Sequence, residues 1–306
     1  MKQMFREVSG VHKWKIIEPI NKGWSDDKKY HIVTDEGIQL LLRVSDISKY
    51  EIRKKDYETM KRLDEVDVLI SRPIDFGVCN DGKHVYFLLT WLEGVDLKEL
   101  LHTLSDKEQY NFGMKAGEAL RKMHSIAVSG NHILWTKRFN RKIDRNINQY
   151  QACGIEIYGA DQIVDYIEKN RYLLDSRPQT FQHGDYHIGN MIVTKHGEVG
   201  IIDFDRLDYG DPWEDFNRIV WCADESNAFA SGRINDYFGN NVPEVFFRLM
   251  ALYIATNILS SVPWAIPFGK EQIDIMRKQA SDVLEWYDGF QTVIPKWYLP
   301  YTHGPK

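Results

Sequence analysis

Three cysteines, Cys79, Cys153 and Cys222, are all that 306 residues contain. They are odd in number and far apart, which excludes a disulfide framework or a thiolate metal cluster and reads as reduced thiols in a cytosolic protein. A basic excess is also lacking. Against 44 Asp and Glu stand 39 Lys and Arg, for a formal charge of -5, so the footprint of a nucleic-acid binder is missing. The opening "MKQMFREVSG" is charged from its second residue and has no apolar core of a secretory signal. Nor is there an unbroken apolar run. The longest, Met250 to Phe268, carries Asn257, two serines and two prolines, and reads as a buried helix ending near Pro263 rather than a membrane span. The expected placement is cytoplasmic, with no nucleic-acid or membrane partner.

What the chain does have is apolar content, 43%, enough for one large domain or two packed lobes. From Trp14 to about Thr90 the pattern is that of strands. "YHIVT", the turn residues Asp35 to Gly37, and "IQLLLRV" predict a hairpin, with Ile38, Leu40, Leu42 and Val44 on one face and Gln39, Leu41 and Arg43 on the other. "RPIDFGVC", "NDGK" and "HVYFLLT" predict a second hairpin. Between them, Ser48 to Leu63 reads as a helix burying Ile52, Met60 and Leu63. Beyond Gly94 the pattern turns helical, opening with the capping box of Ser105 and Glu108. The fold expected is α+β: a five-stranded antiparallel lobe with one helix over residues 1–92, and a mainly helical lobe over 93–306, with a ligand cleft between them.

One small hairpin interrupts the helical part, and chemistry-bearing residues flank it. "HGDYHIGNM" leads into "MIVT"; "VGIIDFDRLDYGDPWEDF" follows the turn "KHGE". An Asp, an Asn five residues later and another Asp at a strand end are hard oxygen donors, the type phosphoryl transfer needs to position a hydroxyl and a metal. The string H-G-D-x-x-x-x-N resembles the protein-kinase catalytic loop, and "IIDFD" the magnesium-binding segment after it. Gly184 where those kinases have Arg, and no A-P-E segment, point away from protein kinases.

From about Asn21 to Ala223 the chain resembles the aminoglycoside phosphotransferase and choline-kinase-like family of small-molecule kinases. "HGDYHIGN", "IIDFD" and "GDPWEDF" are the most specific parts. The resemblance implies a protein-kinase-like two-lobe fold and Mg2+-dependent phosphoryl transfer from ATP or GTP to a small-molecule hydroxyl. It makes Asp185 the catalytic group and Asn190 and Asp203 the magnesium ligands. Ser25, in "GWSDDKKY", would cap nucleotide phosphates; Thr90 and Leu92 would bind adenine through their backbone, with Leu89 behind it. Arg43 stands where the family usually has a phosphate-contacting lysine. Asp56, in the inward row between Ile52 and Met60, is its expected helix partner. His183 and Asp215 are expected to brace the catalytic loop, and His124 to be a satisfied core histidine.

The acceptor is expected to be a cationic molecule such as an aminoglycoside-type antibiotic. Seven carboxylates after "IIDFD", Asp205, Asp208, Asp211, Glu214, Asp215, Asp224 and Glu225, motivate that expectation, since carboxylates facing a pocket would hold an amine, although some of them, Asp211 and Asp215 first, are expected to serve turns and loop bracing. Choline, homoserine or a sugar as acceptor, or a non-catalytic kinase-fold binding protein, are the alternatives.

Overall fold

The computed structural model describes residues 2–21, 27–128 and 132–301, and the chain divides into two compact units. The first takes residues 1–96 and 191–207, the second 97–190 and 208–306. The first unit therefore extends past the expected break at 92, and the hairpin assigned to the helical part clusters with it.

In the first unit β1 (Trp14–Ile20), β2 (Lys28–Thr34), β3 (Gln39–Asp46), α1 (Tyr50–Lys61), β4 (Pro73–Cys79) and β5 (His84–Thr90) form an antiparallel sheet with one helix, in the strand order β1-β2-β3-β5-β4. The turn at Asp35 to Gly37 sets the register of β2 on β3, pairing Val33 with Gln39, Ile32 with Leu40 and Lys28 with Val44. Alternation then sends Tyr30, Ile32, Leu40, Leu42 and Val44 to one face. Phe5 and Val8, on the segment before β1, bury themselves there. Each fully buried Ile, Leu or Phe contributes about 1.5–3 kcal/mol. Ile38, expected on that face, is 52% exposed at the hairpin end.

The phase of α1 differs from the expected one. Met60 and Leu63 are buried, but Ile52 is 63% exposed and Arg53 points inward in its place. One residue is 100° of helix rotation, so a single exposed isoleucine misplaces the face. After β6 (Val95–Asp96) the chain enters the second unit.

That unit holds α2 (Leu97–Leu101), α3 (Asp106–Met123), α4 (Trp135–Ala152), α5 (Ala160–Asn170) and β7 (Thr180–Gln182). Then β8 (Met191–Val193) and β9 (Val199–Ile201) complete a three-stranded sheet with β6 in the first unit. The second unit resumes with β10 (Asp208–Gly210), α6 (Ile219–Glu225), α7 (Asn227–Tyr237), α8 (Glu244–Ala265) and α9 (Lys270–Trp286). The capping box that opens α3 has both its hydrogen bonds. Helices α3 and α7 approach closely because Gly113 and Gly117 face the carbonyls of Phe229 and Arg233, where any Cβ would collide. That contact carries Arg233 into the core. The greasy run is the core of α8, which passes through Pro263 in its last turn to Ala265. By length and apolar content residues 244–268 could cross a membrane, yet 78% of an 18-residue window within that stretch is buried inside the protein.

Candidate active site

In the first unit, four basic and four acidic side chains form one linked cluster. Arg43, 7% exposed on β3, donates to Asp27 Oδ2 at 2.8 Å, lies 3.6 Å from Asp203 Oδ1, and contacts Asp205. Arg53 on α1 reaches Asp27 Oδ2 at 2.7 Å and Asp56 Oδ2 at 3.0 Å. Lys49 lies 3.7 Å from Asp27 and Lys29 3.5 Å from Asp203. Burial works against the charge of Arg43, but Asp205, Asp203 and Asp27 outweigh it and hold the guanidinium protonated. For Asp27, burial opposes ionisation too. The Ser45 hydroxyl at 2.6 Å and the two arginines overcome it and keep the carboxyl below the usual range.

The expected Arg43–Asp56 pair is therefore replaced. Asp56 does turn inward, as the spacing requires, but the side chain that meets it is Arg53, three residues before it on the helix. Its carboxyl is pushed up, chiefly by burial. Arg43 takes Asp27, a residue that sequence reading passed over. The signal was available: with Lys28 opposite Val44, the next pair in the ladder is Asp27 with Ser45, diagonal to Arg43.

Ser25, the expected phosphate cap, lies outside the described residues. At the expected hinge, Thr90 has already committed its N–H to the Arg72 carbonyl at 2.9 Å, and its carbonyl accepts the Ser71 hydroxyl at 2.8 Å. Its backbone can offer adenine only a remaining carbonyl lone pair. The Leu92 N–H has no hydrogen-bond partner among the described residues. Its side chain packs over Gly200, where a Cβ would strike Leu92 Cδ2. Leu89 is buried. Asp203 follows β9 with a φ of 64°, the left-handed region that Asp tolerates better than most residues.

In the second unit the loop bearing Asp185 is held by its backbone. Asp215, fully buried, accepts from the N–H groups of His183 at 2.8 Å and Gly184 at 2.7 Å. It also meets His124 Nε2 at 3.1 Å, while His124 Nδ1 meets the Tyr237 hydroxyl at 2.9 Å. Burial opposes the charge on Asp215, but these hydrogen bonds, that of His124 first, keep its carboxyl below the usual range. Beneath, the buried Arg233 donates to the carbonyls of Tyr186 at 2.9 Å and Asp215 at 3.0 Å. His183 and Asp215 thus brace the loop and His124 is a satisfied core histidine, as the sequence suggests.

The Asp185 carboxylate is a quarter exposed, with Arg218 Nε at 3.1 Å and His187 Nε2 at 3.9 Å from Oδ1. Arg218 is a second residue that sequence reading missed. Asn190 donates its amide N–H to the Asp185 carbonyl at 3.0 Å, which leaves its oxygen as the group available to a cation. Burial lowers the His187 imidazole to about 4, with Asp185 pulling the other way and Arg218 reinforcing burial.

The seven carboxylates do not form an open anionic patch. Each meets a basic side chain: Asp205 with Arg43, Asp208 with Arg138, Asp211 with Arg177, Glu214 with Lys142, Asp215 with His124, Asp224 with Lys278 and Glu225 with Lys98. Asp211 is wholly structural, accepting both Arg177 nitrogens, the Tyr253 hydroxyl and the Trp213 N–H.

The residues that carry this loop and the cluster on the sheet lie within the match to a family model. The model of the phosphotransferase enzyme family, APH, covers residues 16–247. The chain belongs to that family. Solved structures share the fold, which is kinase-like. APH(2")-IIa in a complex with gentamicin is 17% identical, with 90% of this chain and 94% of that one covered at a TM-score of 0.65. A thermostable mutant of aminoglycoside phosphotransferase APH(4)-Ia, in ternary complex with ADP and hygromycin B, is 13% identical over 93% and 98%, at 0.68. The GDP complex of aminoglycoside 2'-phosphotransferase-IIIa is 13% identical over 92% and 96%, at 0.66. No curated protein sequence matches at a significant level.

Proposed function

We propose that this family member transfers the γ-phosphoryl group of ATP or GTP, with Mg2+, to a hydroxyl of a small molecule. The observation that carries the reading is the loop at Asp185: a partly exposed carboxylate whose backbone is fixed by Asp215 and Arg233, with Arg218 against one oxygen. Such a carboxylate orients an acceptor hydroxyl and receives its proton as the oxygen bonds to the γ-phosphorus. The bond from that phosphorus to the β-phosphate oxygen breaks, and the nucleoside diphosphate leaves with the electron pair. Asn190 and Asp203 are the residues that would hold magnesium. Their chemistry fits, since each has an oxygen rather than nitrogen or sulfur to give, and the Asp203 carboxylate is 32% exposed. Bound magnesium would neutralise charge on the phosphates. Arg43 would meet the nucleotide phosphates, and the Leu92 N–H together with the Thr90 carbonyl would meet the base.

Support for a cationic acceptor comes from the structural relatives, seen with gentamicin and hygromycin B. The carboxylates after "IIDFD" give none, because each is already matched by a basic side chain. A metabolite hydroxyl is therefore the second reading on equal chemical terms. The test is magnesium-dependent release of ADP or GDP with an aminoglycoside, a macrolide, choline, homoserine and a sugar, each checked for a phosphorylated product. Release matched by one product supports the function and names the acceptor. Nucleotide binding without acceptor-dependent release across a wide panel would favour a binding protein instead.

A further inference from the structure

The cluster on the sheet contains an arrangement that the phosphate-contacting role of Arg43 does not by itself require. Asp27 is the most enclosed of its carboxylates, with a side chain wholly out of solvent. Its two oxygens divide their partners. Oδ2 accepts from Arg43 at 2.8 Å and from Arg53 at 2.7 Å, and Oδ1 accepts from Ser45 at 2.6 Å and faces Lys49 at 3.7 Å. Arg53 in turn sits 3.0 Å from Asp56, and its Nε lies 3.3 Å from Ser45 Oγ. The helix thus sends a cation toward the sheet, and the strand end supplies the carboxylate between two arginines. A free arginine samples many rotamers, at about 2 kcal/mol of entropy. Tied to Asp27 through Nη2, the Arg43 guanidinium presents Nη1 on the side of Asp203 and Asp205.

We propose that Asp27 is the positioning residue of Arg43, fixing its guanidinium for the nucleotide phosphates, and that Arg53 anchors Asp27 to α1. The inference rests on the reading of Arg43 as a phosphate contact. It assigns to the Asp27–Arg53 pair the work that Asp56 was expected to do. Asp56 acts one step further out, through Arg53.

Calorimetric titration of the whole chain with ATP and with adenosine, magnesium present and no acceptor, separates positioning from mere support. Asp27→Asn is expected to weaken ATP by about tenfold or more while adenosine stays within about twofold, with Asp27→Glu recovering part of the ATP affinity. Asp56→Asn should cost ATP binding less than Asp27→Asn. Equal weakening of ATP and adenosine, or an Asp56→Asn effect as large as that of Asp27→Asn, overturns the proposal. If Asp27→Asn does not fold, Ser45→Ala removes one donor to Asp27 and leaves both arginines. Weaker ATP binding with unchanged adenosine then supports the assignment, and unchanged ATP binding overturns it. Arg43→Ala is titrated alongside. If that variant binds ATP as wild type does, the phosphate role of Arg43 falls and this inference with it. A loss in Arg43→Ala without one in Asp27→Asn overturns the positioning role alone.

Discussion

The two charged regions of this protein are built on opposite plans. In the first unit, Arg43, Arg53, Lys29 and Lys49 meet Asp27, Asp56, Asp203 and Asp205 side chain to side chain. In the second, Asp215 and Arg233 spend their hydrogen bonds mainly on backbone N–H and carbonyl groups of the Asp185 loop. Side-chain pairs such as Arg43 with Asp27 fix the direction of a charged group without fixing the backbone that carries it. Backbone-bound charges cannot be moved without moving the chain. The first plan suits charged groups that must be aimed, the second a loop that must hold one geometry.

The largest expected effect tests the rigid plan. Asp215→Ala leaves two buried backbone N–H groups and a histidine without their acceptor, and removing one partner of such a buried charged network costs about 3–5 kcal/mol. Urea unfolding should show that loss in the midpoint. A change below about 1 kcal/mol would mean that the loop carries its own conformation. Next comes Asp185→Ala, expected to lower turnover about a hundredfold or more while nucleotide binding persists. Equal loss of both, measured by single-turnover transfer and by calorimetry, would place Asp185 in the bracing and not in the chemistry.

The same contrast decides what was legible in the sequence. Strand alternation, the turn at Asp35 to Gly37, the capping box and the loop motif are local, so the sheet, α3 and the Asp185 loop could be read from neighbouring residues. Charge partners are not local. Arg177 reaches Asp211, Lys142 reaches Glu214 and Lys98 reaches Glu225 from other helices or loops, and nothing in the run of seven carboxylates records them. The exchange of Asp56 for Asp27 has two causes: a helix phase set by Ile52, and a hairpin register not followed one residue past its end. Thr90 shows a third limit. A side chain's identity says nothing of whether its backbone N–H is already spent.

A smaller effect follows from His187, beside the rigid loop. With its imidazole lowered to about 4 by burial, and an unfolded value of about 6.5, the unfolded chain binds more protons between those limits. The stability this histidine contributes is fully present above about pH 6.5 and declines as pH falls toward 4. Because the side chain is a quarter exposed, the loss at pH 5 is at most about 2 kcal/mol. His187→Gln should therefore lose less stability than wild type between pH 7 and pH 5. Parallel pH curves for the two proteins would remove His187 from the account.

The finest test asks to which plan Arg218 belongs. It follows Asp215 by three residues, on the segment that holds the rigid loop, yet its contact is side chain to side chain: Nε against Asp185 Oδ1 at 3.1 Å, with the side chain 18% exposed. If it positions the Asp185 carboxylate, Arg218→Ala should lower kcat by about tenfold and leave the nucleotide KM near wild type, because a group that orients the hydroxyl-facing carboxylate acts in the transition state. Arg218→Lys should recover part of kcat, since the contact with Asp185 is an ion pair and a lysine keeps the charge. If Arg218 serves only to brace the segment, both variants should shift the urea midpoint and leave kcat of the folded protein unchanged. If instead it contacts the acceptor, the acceptor KM should rise more than kcat falls. The ratio of those two changes, measured with one phosphorylated acceptor at saturating nucleotide, separates the three roles.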